Sequence, residues 1–190
     1  MAAPGERASN IIPALLDALW PAEVPGYVKL WAIADAAAEP RVPLLVRSTV
    51  REACCLYSGQ VPPGLAEVAP HLLQIQPNDS VTRDLLGLCW RRNAAVFLRA
   101  EEPFGVLRRH FASLLKVRGG RGIVHLFRFY DPRILRAYLP TCTPAELAVF
   151  FGPVRSFVVA DEDPAVLLEF SRDGGRLAVN RRTLPVRARR

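Results

Sequence analysis

Seventeen prolines and twelve glycines interrupt this 190-residue chain at short intervals, and that punctuation limits every regular element to a few turns or a few strand residues. Proline ends a helix from inside because it lacks the backbone donor and clashes with the preceding turn, while glycine favours the turns between elements. Between these breaks, 51% of the residues are hydrophobic, enough for one substantial core or two small lobes. Whole-chain disorder, which requires low hydrophobicity, is excluded. A spanning helix would need roughly 20 consecutive apolar residues, and each apolar stretch here soon meets a charge or a proline. The opening Met1, Ala2, Ala3, Pro4, Gly5, Glu6, Arg7 lacks the basic-then-apolar order of a secretory signal, so the cytoplasm is the expected compartment.

The pieces read as alternating helices and strands. Ile11, Ile12, Leu15, Leu16, Leu19 and Trp20 fall at helical spacing before Pro21, and Tyr27–Ala34 is a short apolar run closed by Asp35. Helices are expected over 42–50, 65–68, 79–90 and 103–117, and strands over 53–57, 71–76, 94–100 and 123–129, with Gly119, Gly120 and Gly122 forming the turn into the last strand. Strands alternating with helices at this spacing predict an α/β fold with a mixed, largely parallel sheet flanked by helices. Two further helices lead to strand-like runs at 157–160, 166–170 and 177–179, read as a small C-terminal helical and antiparallel extension. The expected organisation is an N-terminal helix and linker (1–26), an α/β domain (27–153), a strand extension (154–175) and an arginine-rich tail (176–190).

Charge is unevenly distributed. The formal net charge is +7, yet the final stretch alone holds Arg176, Arg181, Arg182, Arg187, Arg189 and Arg190 with no acid among them. The body is therefore nearly neutral, and a tail of this kind invites a nucleic-acid reading through phosphate contacts. Cys54, Cys55, Cys89 and Cys142 lack the spacing of a structural zinc site and lie in apolar stretches, which marks them as buried free thiols. No metal or cofactor is expected.

Residues 127–146 carry the densest local instruction. Phe127, Arg128, Phe129 and Tyr130 finish a strand, and Asp131 with Pro132 matches the preferences for a helix N-cap and first position. A helix through Ile134, Leu135 and Tyr138 stops at Pro140. Thr143, Pro144, Ala145 and Glu146 then have the form of a capping box, ahead of an apolar face of Leu147, Val149, Phe150 and Phe151 ended by Gly152 and Pro153. Arg128, Asp131, Arg133 and Arg136 cluster at the turn. They read either as a network that orients the turn or as a charged groove for a peptide or partner helix.

This run, from Phe127 through Arg133, Tyr138 and Cys142 to Pro153, resembles the domain-of-unknown-function 4123 family. Leu30–Ala37 with Asp35, the Ala69, Pro70, His71, Leu72 segment and the helix Phe104–Val117 support the likeness, while Arg91, Arg92, Asn93 and Ala94 depart from the family pattern. The resemblance implies a non-enzymatic type VI secretion adaptor or chaperone, also called a Tap protein. Such a protein binds a toxic effector in the producing cell and loads it onto the VgrG spike. Within that reading, Arg128, Tyr130, Asp131 and Arg133 are the expected partner-binding residues, because a strand-end position suits ligand approach in open α/β sheets.

Catalytic constellations are sparse. Ser58 precedes Gly59 but lacks the second glycine of a nucleophile elbow, and the Gly119–Gly122 turn precedes a strand where a phosphate cradle would precede a helix. His71, His110 and His125 are isolated from one another. A Cys142, His125, Asp131 set can be imagined as nucleophile, base and orienter, but a cysteine after a proline-terminated helix is more commonly a packing residue. Asp161, Glu162 and Asp163 lack the glycine and spacing of a calcium loop. No catalytic residue is expected, and the alternative to the adaptor is a nucleic-acid-binding module using the arginine-rich end.

Overall fold

The computed structural model describes residues 11–57, 62–118 and 123–185. The glycine turn at 119–122, Ser58 with Gly59, and Arg187, Arg189 and Arg190 lie outside them. The order is α1 (Ile12–Leu19), β1 (Lys29–Asp35), α2 (Val42–Ser48), β2 (Ala53–Cys55), α3 (Pro63–Ala66), β3 (Pro70–Ile75), α4 (Ser80–Cys89) and β4 (Ala95–Ala100). It continues with α5 (Phe104–Leu114), β5 (Lys116–Arg118), β6 (Val124–Leu126), α6 (Pro132–Tyr138), α7 (Pro144–Phe151), β7 (Val154–Ala160), β8 (Val166–Asp173) and β9 (Arg176–Thr183).

Local chemistry accounts for several boundaries. Asp79 caps α4 by accepting from the Val81 N–H at 3.0 Å, and Asp131 caps α6, whose first position is Pro132. Thr143 and Glu146 form the capping box expected at α7, the Thr143 N–H donating to Glu146 at 2.7 Å. Between β8 and β9 the chain reverses through Gly174 and Gly175, both at positive φ (53° and 82°), the tight hairpin geometry that glycine permits.

Seven strands form one sheet in the order β2-β3-β1-β4-β7-β8-β9, and every pairing in it is antiparallel. The expectation of a mixed, largely parallel sheet is thereby overturned. Its physical origin lies in two split crossovers. The units β1-α2-β2 and β3-α4-β4 each join strands that run in the same direction, but each skips one position, and an antiparallel strand fills the gap: β3 in the first unit and β1 in the second. Alternation along the sequence is identical for a split and an unsplit βαβ unit, so the pattern could not register the inserted neighbour. The C-terminal strands also do more than extend a finished domain, since β7 pairs with β4 and carries the same sheet onward to β8 and β9.

Period-2 alternation sends side chains to two cores. Leu30, Ala32 and Ala34 face a layer of α1, α2 and α4, where Leu15, Leu85 and Trp90 are buried. Trp31 and Ile33 face the opposite layer of α5, α6 and α7, built on Phe111, Phe129, Phe150, Phe151 and Phe157. That second core is a web of aromatic contacts, with Phe151 and Phe157 at 5.1 Å and Phe150 and Phe157 at 5.3 Å between ring centroids, distances at which edge-to-face pairs add to simple burial.

Arg99 is the exception on the α1 side. Its guanidinium is buried, pairs with Glu169, and donates from Nη2 to the Ala18 and Leu19 carbonyls at 3.1 Å each. A cation there meets the unpaired carbonyls at the C-terminus of α1 and ties that helix to the sheet. Ser156 donates to the same Glu169 carboxylate at 2.6 Å.

Candidate partner-binding site

Asp35 ends β1 with its side chain toward the aromatic core and 1% exposed. A carboxylate so placed needs donors, and it has two. The Ala37 N–H donates to Oδ1 at 2.9 Å, turning the chain out of the sheet, and Arg128 Nη2 donates to Oδ2 at 2.6 Å. The Arg128 guanidinium lies 6.0 Å from the ring centroid of Tyr130. Tyr130 is buried. Burial above all, then the nearby Tyr57 and Asp35, raises its phenol well beyond the ordinary range.

One residue further on, Asp131 takes the Arg133 N–H at 2.9 Å as helix cap and the Arg133 side chain as a fork, Nε at 3.0 Å and Nη2 at 2.7 Å. Burial pushes this carboxyl upward, but the hydrogen bonds and charge of Arg133 prevail and hold it below the usual carboxylate range. Arg128, Tyr130, Asp131 and Arg133 therefore do come together, joined by Asp35 and Tyr57. The two acids are buried and committed, whereas Arg128 is 42% exposed and Arg133 64% exposed at the side chain. Each guanidinium carries five N–H donors, so both present unspent donors to solvent on a rigidly held base.

Arg136, expected in the same cluster, points elsewhere. Its Nη1 donates to the Ala160 carbonyl at 2.6 Å and to Asn93 Oδ1 at 3.2 Å, and Asn93 adopts a left-handed φ of 52° in the turn before β4. Arg92 lies 3.5 Å from the buried Glu39, which Arg41 also holds through two side-chain hydrogen bonds and one from its backbone N–H. The 91–94 segment thus braces the fold beside α2.

Beside the strand-end cluster, the β5–β6 hairpin and α7 enclose an open apolar groove of about 660 Å³, lined by Leu114, Val117, Leu126, Phe127, Val149 and Phe150 among others. Val149 is 70% exposed on its wall. Phe127 and Tyr138, 4.8 Å apart, join the groove to α6.

A profile of the family described as Domain of unknown function (DUF4123) matches residues 30–148. The chain belongs to that family. The matched region runs from β1 into α7, so it takes in both Asp35 and the Phe127–Arg133 segment. No curated protein and no solved structure matches the chain.

In this DUF4123 chain the sequence pattern located the arginines but not the groove. Reading one helix through Val117 hid the hairpin, because Lys116–Arg118 leaves α5 to pair with Val124–Leu126. An apolar residue at each of 117, 123 and 126, on either side of a glycine cluster, was the available signal.

The residues of the imagined triad are engaged separately. Cys142 Sγ contacts the Tyr138 carbonyl at 3.5 Å and burial raises its thiol. His125 belongs to the groove, and Asp131 is held by Arg133. Burial pushes the Cys54 and Cys89 thiols up to about 11 and about 12, which keeps both un-ionised and poorly nucleophilic. Among the described residues, no group of three or more His, Cys, Asp or Glu is arranged to hold a metal ion, and no helix is long and apolar enough to cross a membrane.

Proposed function

We propose that this DUF4123 protein is a non-enzymatic adaptor that binds a type VI secretion effector and helps load it onto the VgrG spike. Family membership over residues 30–148, together with the strand-to-helix motif that begins at Phe127, carries the reading. The geometry suits it: two exposed guanidinium groups, each fixed by a buried aspartate, stand beside an apolar groove. A partner segment with an apolar face and a flanking carboxylate or carbonyl finds a place for both ends there, and charge-assisted hydrogen bonds to arginine fix its orientation.

Co-expression with the effector and VgrG encoded beside it tests the proposal. The expected result is a stable stoichiometric complex through affinity purification and size exclusion; retention of neither protein counts against it. Arg133→Glu is expected to weaken effector retention while leaving the circular dichroism spectrum unchanged. Full retention by that variant removes Arg133 from the binding surface.

A further inference from the structure

The seven-stranded sheet has two edges of different character. At one end β2 is three residues long and half-buried, the short edge by which sheets avoid unwanted pairing. At the other, β9 runs eight residues and, among the described residues, its only strand partner is β8. Eight residues at ~3.4 Å each span about 27 Å. The hairpin fixes which backbone groups are free. Asp173 pairs with Arg176 across the two-residue turn, and beyond the strand the Leu184 N–H donates to the Ala165 carbonyl at 2.8 Å. In an antiparallel pair the bonded positions alternate, so the even-numbered residues of β9 bond to β8. The N–H and C=O groups of Leu177, Val179, Arg181 and Thr183 therefore point away from the sheet. Among the described residues, no backbone group bonds to them.

Side chains on this edge are of one sign. Arg181 is held by Asp161 at 2.6 Å, while Arg176 and Arg182 share the other face of the strand and have no carboxylate within ion-pairing distance among the described residues. A second copy of β9 would set the same three arginines against these, and like charges across a ladder are destabilising. An acidic strand meets no such penalty.

We propose that the outer edge of β9 is a strand-addition site for an acidic, extended segment of a partner protein, paired antiparallel to β9. Main-chain bonds to Leu177, Val179 and Arg181 supply the ladder, and carboxylates opposite Arg176 and Arg182 supply orientation and choice of partner. The register sets the motif. A segment of sequence Glu-Thr-Thr-Val-Thr-Val-Glu places its outer acids opposite Arg182 and Arg176 and its valines opposite Val179 and Leu177. The site lies outside the matched family region of residues 30–148, and it stands or falls independently of the adaptor reading because its test uses synthetic peptides.

The experiment titrates the full chain, isotopically labelled, with this blocked peptide and with a counterpart carrying Lys at both Glu positions. The expected result is chemical-shift change concentrated in β9 amides, affinity roughly tenfold higher for the Glu peptide, and loss of that preference as salt is raised. Val179→Pro removes an outward N–H while sparing the β8 ladder, and is expected to abolish peptide binding with little change in melting temperature. Should that variant unfold, Arg176→Glu with Arg182→Glu decides the matter by shifting preference to the Lys peptide. Equal affinity for the two peptides, shifts centred on the apolar groove, or absence of binding overturns the proposal. Tight binding of a DNA or RNA oligonucleotide at β9 with no response to either peptide also overturns it, and assigns the edge to phosphate.

Discussion

Two arginine–carboxylate pairings in this molecule are built in opposite senses. Around Arg99 the cation is buried and its partner Glu169 sits nearer the solvent; around Asp35 and Asp131 the anions are buried and Arg128 and Arg133 lie outside. The first arrangement locks, since the Arg99 Nη donors face a carboxylate, a hydroxyl and two helix carbonyls, while its Nε is buried without a partner and none is turned outward. The second presents, because the guanidinium groups are anchored on one side and open on the other. Which member is buried thus separates a strut from the surface proposed for docking, and it also decides which deletion is worse. Removing the outer partner strands a buried charge, whereas removing the inner one releases an ion to water.

Glu169→Leu tests the strut most severely. It leaves the Arg99 guanidinium buried without a carboxylate, and we expect a loss of about 3–5 kcal/mol in urea unfolding. Combining it with Arg99→Met is expected to restore much of that loss, because an apolar pair of similar volume requires no compensation. A double variant less stable than Glu169→Leu alone would mean that Arg99 stabilises chiefly through the α1 carbonyls.

A smaller effect is expected at the second pairing. Arg128→Met leaves Asp35 buried but still bonded to the Ala37 N–H, and should cost about 1–3 kcal/mol. Asp35→Asn keeps the turn bond and frees Arg128, so its cost should be lower. If Asp35→Asn proves the more damaging of the two, Asp35 acts mainly by shaping the turn, and the contrast drawn between the two pairings fails there.

The backbone supplies an intermediate test of how tightly the aromatic face is set. Gly152 closes α7 at a φ of 46°, and a Cβ added there would lie 2.5 Å from the His110 ring, whose Nε2–H donates to the Phe150 carbonyl at 2.9 Å. Gly152→Ala should therefore destabilise by roughly 1–3 kcal/mol, and His110→Ala in the same chain should relieve the steric part only.

The two pairings were not equally legible in the sequence. Asp131 and Arg133 follow local rules, a cap and its neighbour, and could be read from a few residues. Arg128 with Asp35 joins positions 93 apart, and Arg99 with Glu169 joins positions 70 apart, so neither has a local signature; an arginine within an apolar strand run is the only trace of Arg99. The same limit explains the sheet. Most strands and helices announce themselves through period and punctuation, β5 at the end of the helix expected over 103–117 being an exception, but the identity of a strand's neighbour is a long-range fact. Split crossovers repeat the sequence pattern of parallel ones while reversing the pairing at each step. The β9 edge was half legible, its arginines being plain and its freedom from a second neighbour being a property of the sheet.

The finest distinction between the strut and the proposed docking surface lies in pH. Arg133 holds the Asp131 carboxyl below its ordinary range, so the folded state favours the ionised form. That contribution is complete above the unfolded carboxylate value of about 3.9 and is lost as pH falls from there through the lower folded value. His71 and His110, both lowered by burial, add a separate decline as pH drops through and below the ordinary histidine value near 6.5, because the unfolded chain takes up protons that the folded chain resists. This decline is common to wild type and Arg133→Met and cancels in their difference. The stability gap between those two proteins should therefore be flat from pH 7 to pH 5 and narrow toward pH 3, with the Asp131 carboxyl titrating higher in the variant by NMR. A gap that stays constant to pH 2 would show that Arg133 contributes packing alone, leaving its guanidinium without the electrostatic anchor on which the docking geometry rests.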